Sequence, residues 1–178
     1  MNLANKLTIL RILLVPIFMI FLLNRIPYGV AIATAIFILA AITDTLDGYI
    51  ARKNNQITTF GKFIDPLADK LLVSAALISL VQMGRLSAWV VVIIIAREFT
   101  ISVLRAVAAA EGIVMAASWW GKLKTITQIL AIIFIMINNF PFSYINIPFD
   151  TIMLWAAVIL TVISGVDYIK LNKHVLKH

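Results

Sequence analysis

Runs such as "LLVPIFMIFLL" and "AWVVVIIIA" leave no polar face for water to wet. A membrane-crossing helix needs about 20 mostly apolar residues. Six stretches meet that need: 7–23, 30–52, 61–82, 88–109, 121–139 and 149–170. Turn-forming or polar segments separate them: "NRIPYG", "KNNQITTF", "MGRLS", "EGIVMAASWW" and "NNFPFSYINIP". The third break is short and predicts a tight helical hairpin. The expected fold is all-α, a polytopic membrane protein with six transmembrane helices. Composition agrees. The chain is 62% hydrophobic and 13% charged, where soluble domains are about half apolar and a quarter charged. Its 178 residues suit one domain, 1–178. No cysteine is present, which excludes disulfides and thiolate metal sites. The first run is not followed by a small-residue cleavage site and does not read as a signal peptide. No internal repeat or low-complexity segment stands out.

Six spans put both termini on one side. With the termini in the cytoplasm, only Arg25 and Arg85 of the 15 Lys and Arg fall in outer loops. That asymmetry sets the orientation. It also explains the net charge of +7 without nucleic acid, since the basic residues form no single cluster with interleaved aromatics. The tail "KLNKHVLKH" acts as a stop signal or attracts anionic membrane lipids. The expected location is the cell's inner membrane, with the inner loops facing the cytoplasm.

Against this background, "DTLDGYIARKNNQITTFGKFIDPLAD" is anomalous. Asp44 and Asp47 close the second span, and Asp65 and Asp69 open the third. A helix turns about 100° per residue, so Asp44, Asp47, Gly48 and Ala51 share one stripe. Gly61, Asp65 and Asp69 share another. The short link predicts antiparallel neighbours, with four carboxylates converging near the inner surface. One Asp in mid-span costs roughly 2.5–3.5 kcal/mol, so four approach roughly 10 kcal/mol without compensation. Arg52, Lys62 and Lys70 are nearby, but divalent cations fit better. Hard oxygen donors select Mg²⁺, Mn²⁺ or Ca²⁺, and four carboxylates suffice for two ions. Such a site suits phosphoryl transfer, with one carboxylate taking the proton of an attacking hydroxyl. Gly48 and Gly61 allow close ligand approach, or close helix packing. A salt-bridged cluster and a divalent cation transporter are the competing readings. The acids cluster at one face, and no span shows the paired broken helices common in transporters.

The spacing Asp44-x2-Asp47-Gly48-x2-Ala51-Arg52-x8-Gly61-x3-Asp65-x3-Asp69 resembles the signature of the CDP-alcohol phosphotransferases, with all eight defining residues in place. The resemblance implies a six-span membrane enzyme, a homodimer, that displaces CMP from a CDP-linked substrate with an alcohol. It implies that Asp44 and Asp65 touch both of two divalent cations, Mg²⁺ or Mn²⁺. Asp47 would serve the first ion and Asp69 the second, with Asp69 also the general base. Gly48, Arg52, Thr58 and Gly61 would contact CDP-diacylglycerol. The segment "NKLTILR" also resembles a family element, with Asn5, Thr8 and Arg11 as nucleotide or diphosphate contacts. The alternative is an interfacial helix start, with Arg11 snorkelling to the surface.

The acceptor must be recognised elsewhere. "AREFTISVLRA" sets Arg97 and Glu98 within the fourth span and Arg105 two turns on. Arg97 and Arg105 lie about 80° apart around the helix and can address one cavity. "GKLKT" opens the fifth span with Lys122, Lys124 and Thr125. Two residues apart, those lysines cannot both face inward. So much positive charge points to an anionic acceptor held by Arg97, Arg105, Lys122 and Lys124. The plainer alternative is an Arg97–Glu98 pair with interfacial lysines. "NKLTILR", "FIDPLADK", "AREF" and "GKLKT" together resemble the family members that use sn-glycerol 3-phosphate, over nearly the whole chain. That resemblance implies transfer of a phosphatidyl group from CDP-diacylglycerol to glycerol 3-phosphate. Members that accept inositol phosphate, phosphatidylglycerol or serine are the alternatives.

Overall fold

The computed structural model describes residues 3–24, 26–53, 59–110, 112 and 118–171, with side chains from residue 6 onward except at 44–53, 59–63, 65, 66, 110 and 171. Six α-helices follow in order: α1 Leu3–Leu23, α2 Gly29–Lys53, α3 Thr59–Gln82, α4 Ala88–Ala110, α5 Trp119–Met136 and α6 Phe149–Leu171. A 3₁₀ turn, Phe142–Ile145, precedes α6. Among the described residues there is no strand. Each expected span overlaps one helix. The fifth ends at Met136 rather than 139, because Asn138 and Asn139 adopt φ of 54° and 59°. That left-handed region suits Asn better than most residues and stops a right-handed helix. Among the described residues, three helices, α1, α5 and α6, contain stretches long and apolar enough to cross a membrane. Helix α4 opens equally apolar but carries Arg97, Glu98 and Arg105.

The chain divides into two compact units, residues 1–85 and 86–178. In the first, α1 packs against both α2 and α3, while among the described residues α2 and α3 meet over only a short stretch. The two aspartate-bearing helices therefore share α1 as their common support, beyond the direct pairing that their short link suggested. Helix α1 buries a row at Thr8, Arg11, Val15, Phe18 and Leu22, spaced alternately by three and four. Ala33, Phe37 and Ala40 answer from α2, and Ala68, Leu72, Ala75 and Ala76 from α3. Small residues let helix backbones approach closely where lipid offers no hydrophobic drive. The Phe18 and Phe37 rings meet at 6.0 Å. The turn between α1 and α2 is tight. A Cβ on Gly29 would stand 2.5 Å from the Phe21 carbonyl oxygen. Helix α3 ends in a Schellman turn, with Gly84 at φ 70° and the Arg85 N–H donating to the Leu80 carbonyl at 2.9 Å. The outer faces stay apolar, with Leu13, Ile20, Leu39 and Ile78 all more than half exposed. Such faces suit acyl chains rather than water.

In the second unit, α6 packs along α5 and also against α4. An aromatic cluster closes one end of the α5–α6 pair. Phe142 stacks on Phe149 at 4.3 Å, and Phe134 meets Phe149 edge-on at 4.8 Å. Asn139 ties the connection by donating to the Ile147 carbonyl at 2.7 Å and accepting from the Asp150 N–H at 3.2 Å. At the other end, the Ser118 hydroxyl donates to Asp167 at 2.9 Å.

Candidate active site

The side chains of Asn5, Asp44, Asp47, Arg52 and Asp65, the surroundings of Gly48 and Gly61, and residue Thr58 as a whole, lie outside the described residues. Helix register still places the positions of the acids. The Phe18–Phe37 contact aligns α1 with the antiparallel α2. Seven and ten residues back from Phe18 are Arg11 and Thr8; seven and ten forward from Phe37 are Asp44 and Asp47. At about 1.5 Å per residue, each pair of positions sits at one level, roughly 10 and 15 Å beyond the phenylalanines. Positions 44 and 47 also continue the three-and-four spacing of the buried row Ala33, Phe37 and Ala40. On α3, position 65 leads the row Ala68 and Leu72, and Asp69 stands one turn after it, half-buried. Positions 44, 47 and 65 thus continue the helical spacing of the buried rows, while position 69 lies beside that row.

Thr8 and Arg11 are each 2% exposed. Arg11 therefore lies inside its unit and does not snorkel. Among the described residues no three His, Cys, Asp or Glu side chains group for a metal; of the four acids only Asp69 has a described side chain. The chemistry of the donor set fits a hard cation. It is all carboxylate, in a chain without cysteine.

In the second unit, a polar cluster sits among apolar helices. Arg97 on α4 donates through Nη1 to Glu98 Oε1 at 3.0 Å and through Nη2 to the Ser164 hydroxyl of α6 at 2.9 Å. Lys124 of α5, 3% exposed, donates to the same Glu98 Oε1. A buried ammonium needs such a partner, since an unpaired charge in an apolar interior is costly. Glycines make room for the guanidinium. A Cβ on Gly165 would lie 3.3 Å from Arg97 Cγ, and one on Gly121 would lie 4.0 Å from Nη2. Arg105 Nε donates to the Tyr168 hydroxyl at 2.8 Å, and its guanidinium carbon lies 5.2 Å from that ring's centroid. Ser164 and Tyr168 are one turn apart, so both arginines reach the same stripe of α6.

Lys122 and Lys124 diverge, as their spacing required. Lys122 is exposed and its Nζ lies 5.9 Å from the Trp119 ring centroid. Three contributors were missed in the sequence reading: Ser164, Gly165 and Tyr168. Their signal was a polar stripe, "SGVDY", on an otherwise greasy span.

A model of the CDP-alcohol phosphatidyltransferases matches residues 1–163. The chain belongs to that family. This CDP-alcohol phosphatidyltransferase is 48% identical to the CDP-diacylglycerol–glycerol-3-phosphate 3-phosphatidyltransferase of Bacillus subtilis, over 99% of this chain and 97% of that one. It is 43% identical to a probable phosphatidylglycerophosphate synthase of Mycobacterium tuberculosis, over 94% of this chain and 80% of the relative. The Haemophilus influenzae protein with the same name as the first is 41% identical, over 97% and 94%. Family membership makes the chain a transferase and sets the transporter alternative aside. Gly165 and Tyr168, which support the two arginines, lie just past the matched residues.

Proposed function

We propose that the chain transfers the phosphatidyl group of CDP-diacylglycerol to sn-glycerol 3-phosphate, giving phosphatidylglycerophosphate and CMP. The observation that carries this is 48% identity, over 99% of this chain and 97% of the relative, with a protein named for that reaction. The Arg97–Lys124 cluster supports it, since buried paired cations suit an acceptor that brings its own phosphate.

Asp69 takes the proton of the acceptor's 1-hydroxyl. The freed oxygen attacks the phosphorus that bears the diacylglycerol, the phosphorus–oxygen bond to CMP breaks, and CMP leaves carrying that oxygen. No covalent enzyme intermediate is needed. Asp44, Asp47, Asp65 and Asp69 would hold two divalent cations, Mg²⁺ or Mn²⁺, which supply neutralisation of the diphosphate charge when bound. Gly48 and Gly61 let the cytidine diphosphate approach the backbone, and Arg52 pairs with its phosphate oxygens. Asn5, Thr8, Arg11 and Thr58 complete the nucleotide contacts. The burial of Thr8 and Arg11 in a row with apolar residues favours this role over a surface one. Arg97, Arg105 and Lys124 bind the acceptor phosphate, and Lys122 contributes from the exposed side of α5.

Residues 1–178 act as one catalytic domain in the inner membrane, with six spans, cytoplasmic termini and the reaction on the cytoplasmic side. The lysine and arginine asymmetry supports that orientation. The enzyme works as a homodimer, and its exposed apolar faces leave area for a second copy as well as for lipid. The test is CMP release from CDP-diacylglycerol with glycerol 3-phosphate, inositol phosphate, phosphatidylglycerol or serine as acceptor. Glycerol 3-phosphate is the expected strong substrate. Faster turnover with inositol phosphate overturns the assignment.

A further inference from the structure

We propose that Glu98 is a positioning residue, which holds Arg97 and Lys124 together as one preformed site for the acceptor phosphate. The inference rests on the acceptor assignment above and deepens it. Two cations from different helices, α4 and α5, donate to a single oxygen, Glu98 Oε1. Such neighbours repel unless an anion stands between them. Lys124 is buried and cannot relieve that repulsion by turning to water. Removing the carboxylate charge therefore takes away the anion that the two cations share and loosens their hold on one another.

The other side of Arg97 is fixed as well. Ser164 tethers Nη2, and Gly165 lets the stem lie against α6. Arg97 Nε is buried with no hydrogen-bond partner. A buried donor left over beside two paired cations is suited to an incoming anion. Glu98 also brings a cost, because a carboxylate near a phosphate repels it. Ordering outweighs repulsion here, since Oε1 already accepts from both cations and its charge is largely screened by them.

Glu98→Gln in the full-length enzyme, assayed in mixed micelles, separates these effects. The expected result is a rise of about tenfold in KM for glycerol 3-phosphate, with KM for CDP-diacylglycerol within about twofold of the starting value. Glu98→Asp, which keeps the charge one methylene back, should recover part of the loss. In a Lys124→Met background the effect of Glu98→Gln should shrink to about twofold or less, because coupled partners are not additive. A lowered acceptor KM means that repulsion dominates and overturns the proposal. Equal rises in both KM values mean a general structural role and overturn it too. Should Glu98→Gln not fold, Ser164→Ala removes the second tether and leaves every charge in place. It must raise the acceptor KM several-fold, and an unchanged value overturns the proposal. Absence of wild-type turnover with glycerol 3-phosphate defeats the acceptor assignment and this role with it; normal wild-type turnover with an unaffected Glu98→Gln defeats this role alone.

Discussion

Gly165→Ala separates acceptor binding from stability. The added Cβ would stand 3.3 Å from Arg97 Cγ and 4.0 Å from its Nε, so the arginine stem must yield by a few tenths of an ångström. It cannot do so freely. Its two Nη atoms are tied to Glu98 at 3.0 Å and to Ser164 at 2.9 Å. Mild overpacking of this kind costs about 1 kcal/mol. Alanine in a helix interior recovers roughly 0.8–1 kcal/mol over glycine. The two nearly cancel, so the unfolding temperature should move by no more than about 2 °C. Function has no such offset. Hydrogen bonds to charged groups are worth about 1.5–3 kcal/mol, and weakening one by half removes about 1 kcal/mol. That is roughly a fivefold rise in KM for glycerol 3-phosphate. The assay is CMP release against acceptor concentration at saturating CDP-diacylglycerol, then the converse, with thermal unfolding of the same sample. An unchanged acceptor KM refutes the reasoning. So does a rise shared equally by both substrates.

Asp69→Asn keeps the shape of the side chain but cannot accept the hydroxyl proton; turnover should fall by roughly 10²–10⁴-fold while helical circular dichroism is retained. Tyr168→Phe removes the hydroxyl that accepts from Arg105 Nε at 2.8 Å and keeps the ring beneath the guanidinium. The acceptor KM should rise about threefold to fivefold, as titration with glycerol 3-phosphate would show. Gly29→Ala drives a methyl to 2.5 Å from the Phe21 carbonyl oxygen, which is backbone and cannot turn aside. The cost of roughly 2 kcal/mol should lower the unfolding temperature by about 4–8 °C, read by the loss of helical signal on heating.

The helices were legible because long apolar runs without a polar face mark them, most plainly in α1, α5 and α6. The end of α5 was not, since an Asn pair in left-handed conformation stops the helix inside a stretch that still reads as greasy. Helix periodicity placed Asp44 and Asp47 on one stripe, and the Phe18–Phe37 register brings those positions level with Arg11 and Thr8. What periodicity did not give was the partner of each stripe. It paired α2 directly with α3; among the described residues those two meet over a short stretch, and α1 packs on both. For the same reason Arg97 and Glu98 were visible as a charged pair, but the link from Glu98 to Lys124 spans 26 residues and the link from Arg97 to Ser164 spans 67. Such distances are settled by packing, not by local pattern. A serine and a tyrosine on an apolar span carry little signal until a guanidinium is found on each.

The most direct measurement follows CMP and lipid product together. The purified enzyme is stripped with a chelator, then returned to Mg²⁺ or Mn²⁺ in the presence of CDP-diacylglycerol and labelled glycerol 3-phosphate. Activity should vanish on stripping and return with either cation, with one label entering lipid for each CMP released. Turnover that survives complete chelation, or CMP formed without labelled lipid, would contradict a carboxylate-held cation site that passes the phosphatidyl group to an anionic alcohol.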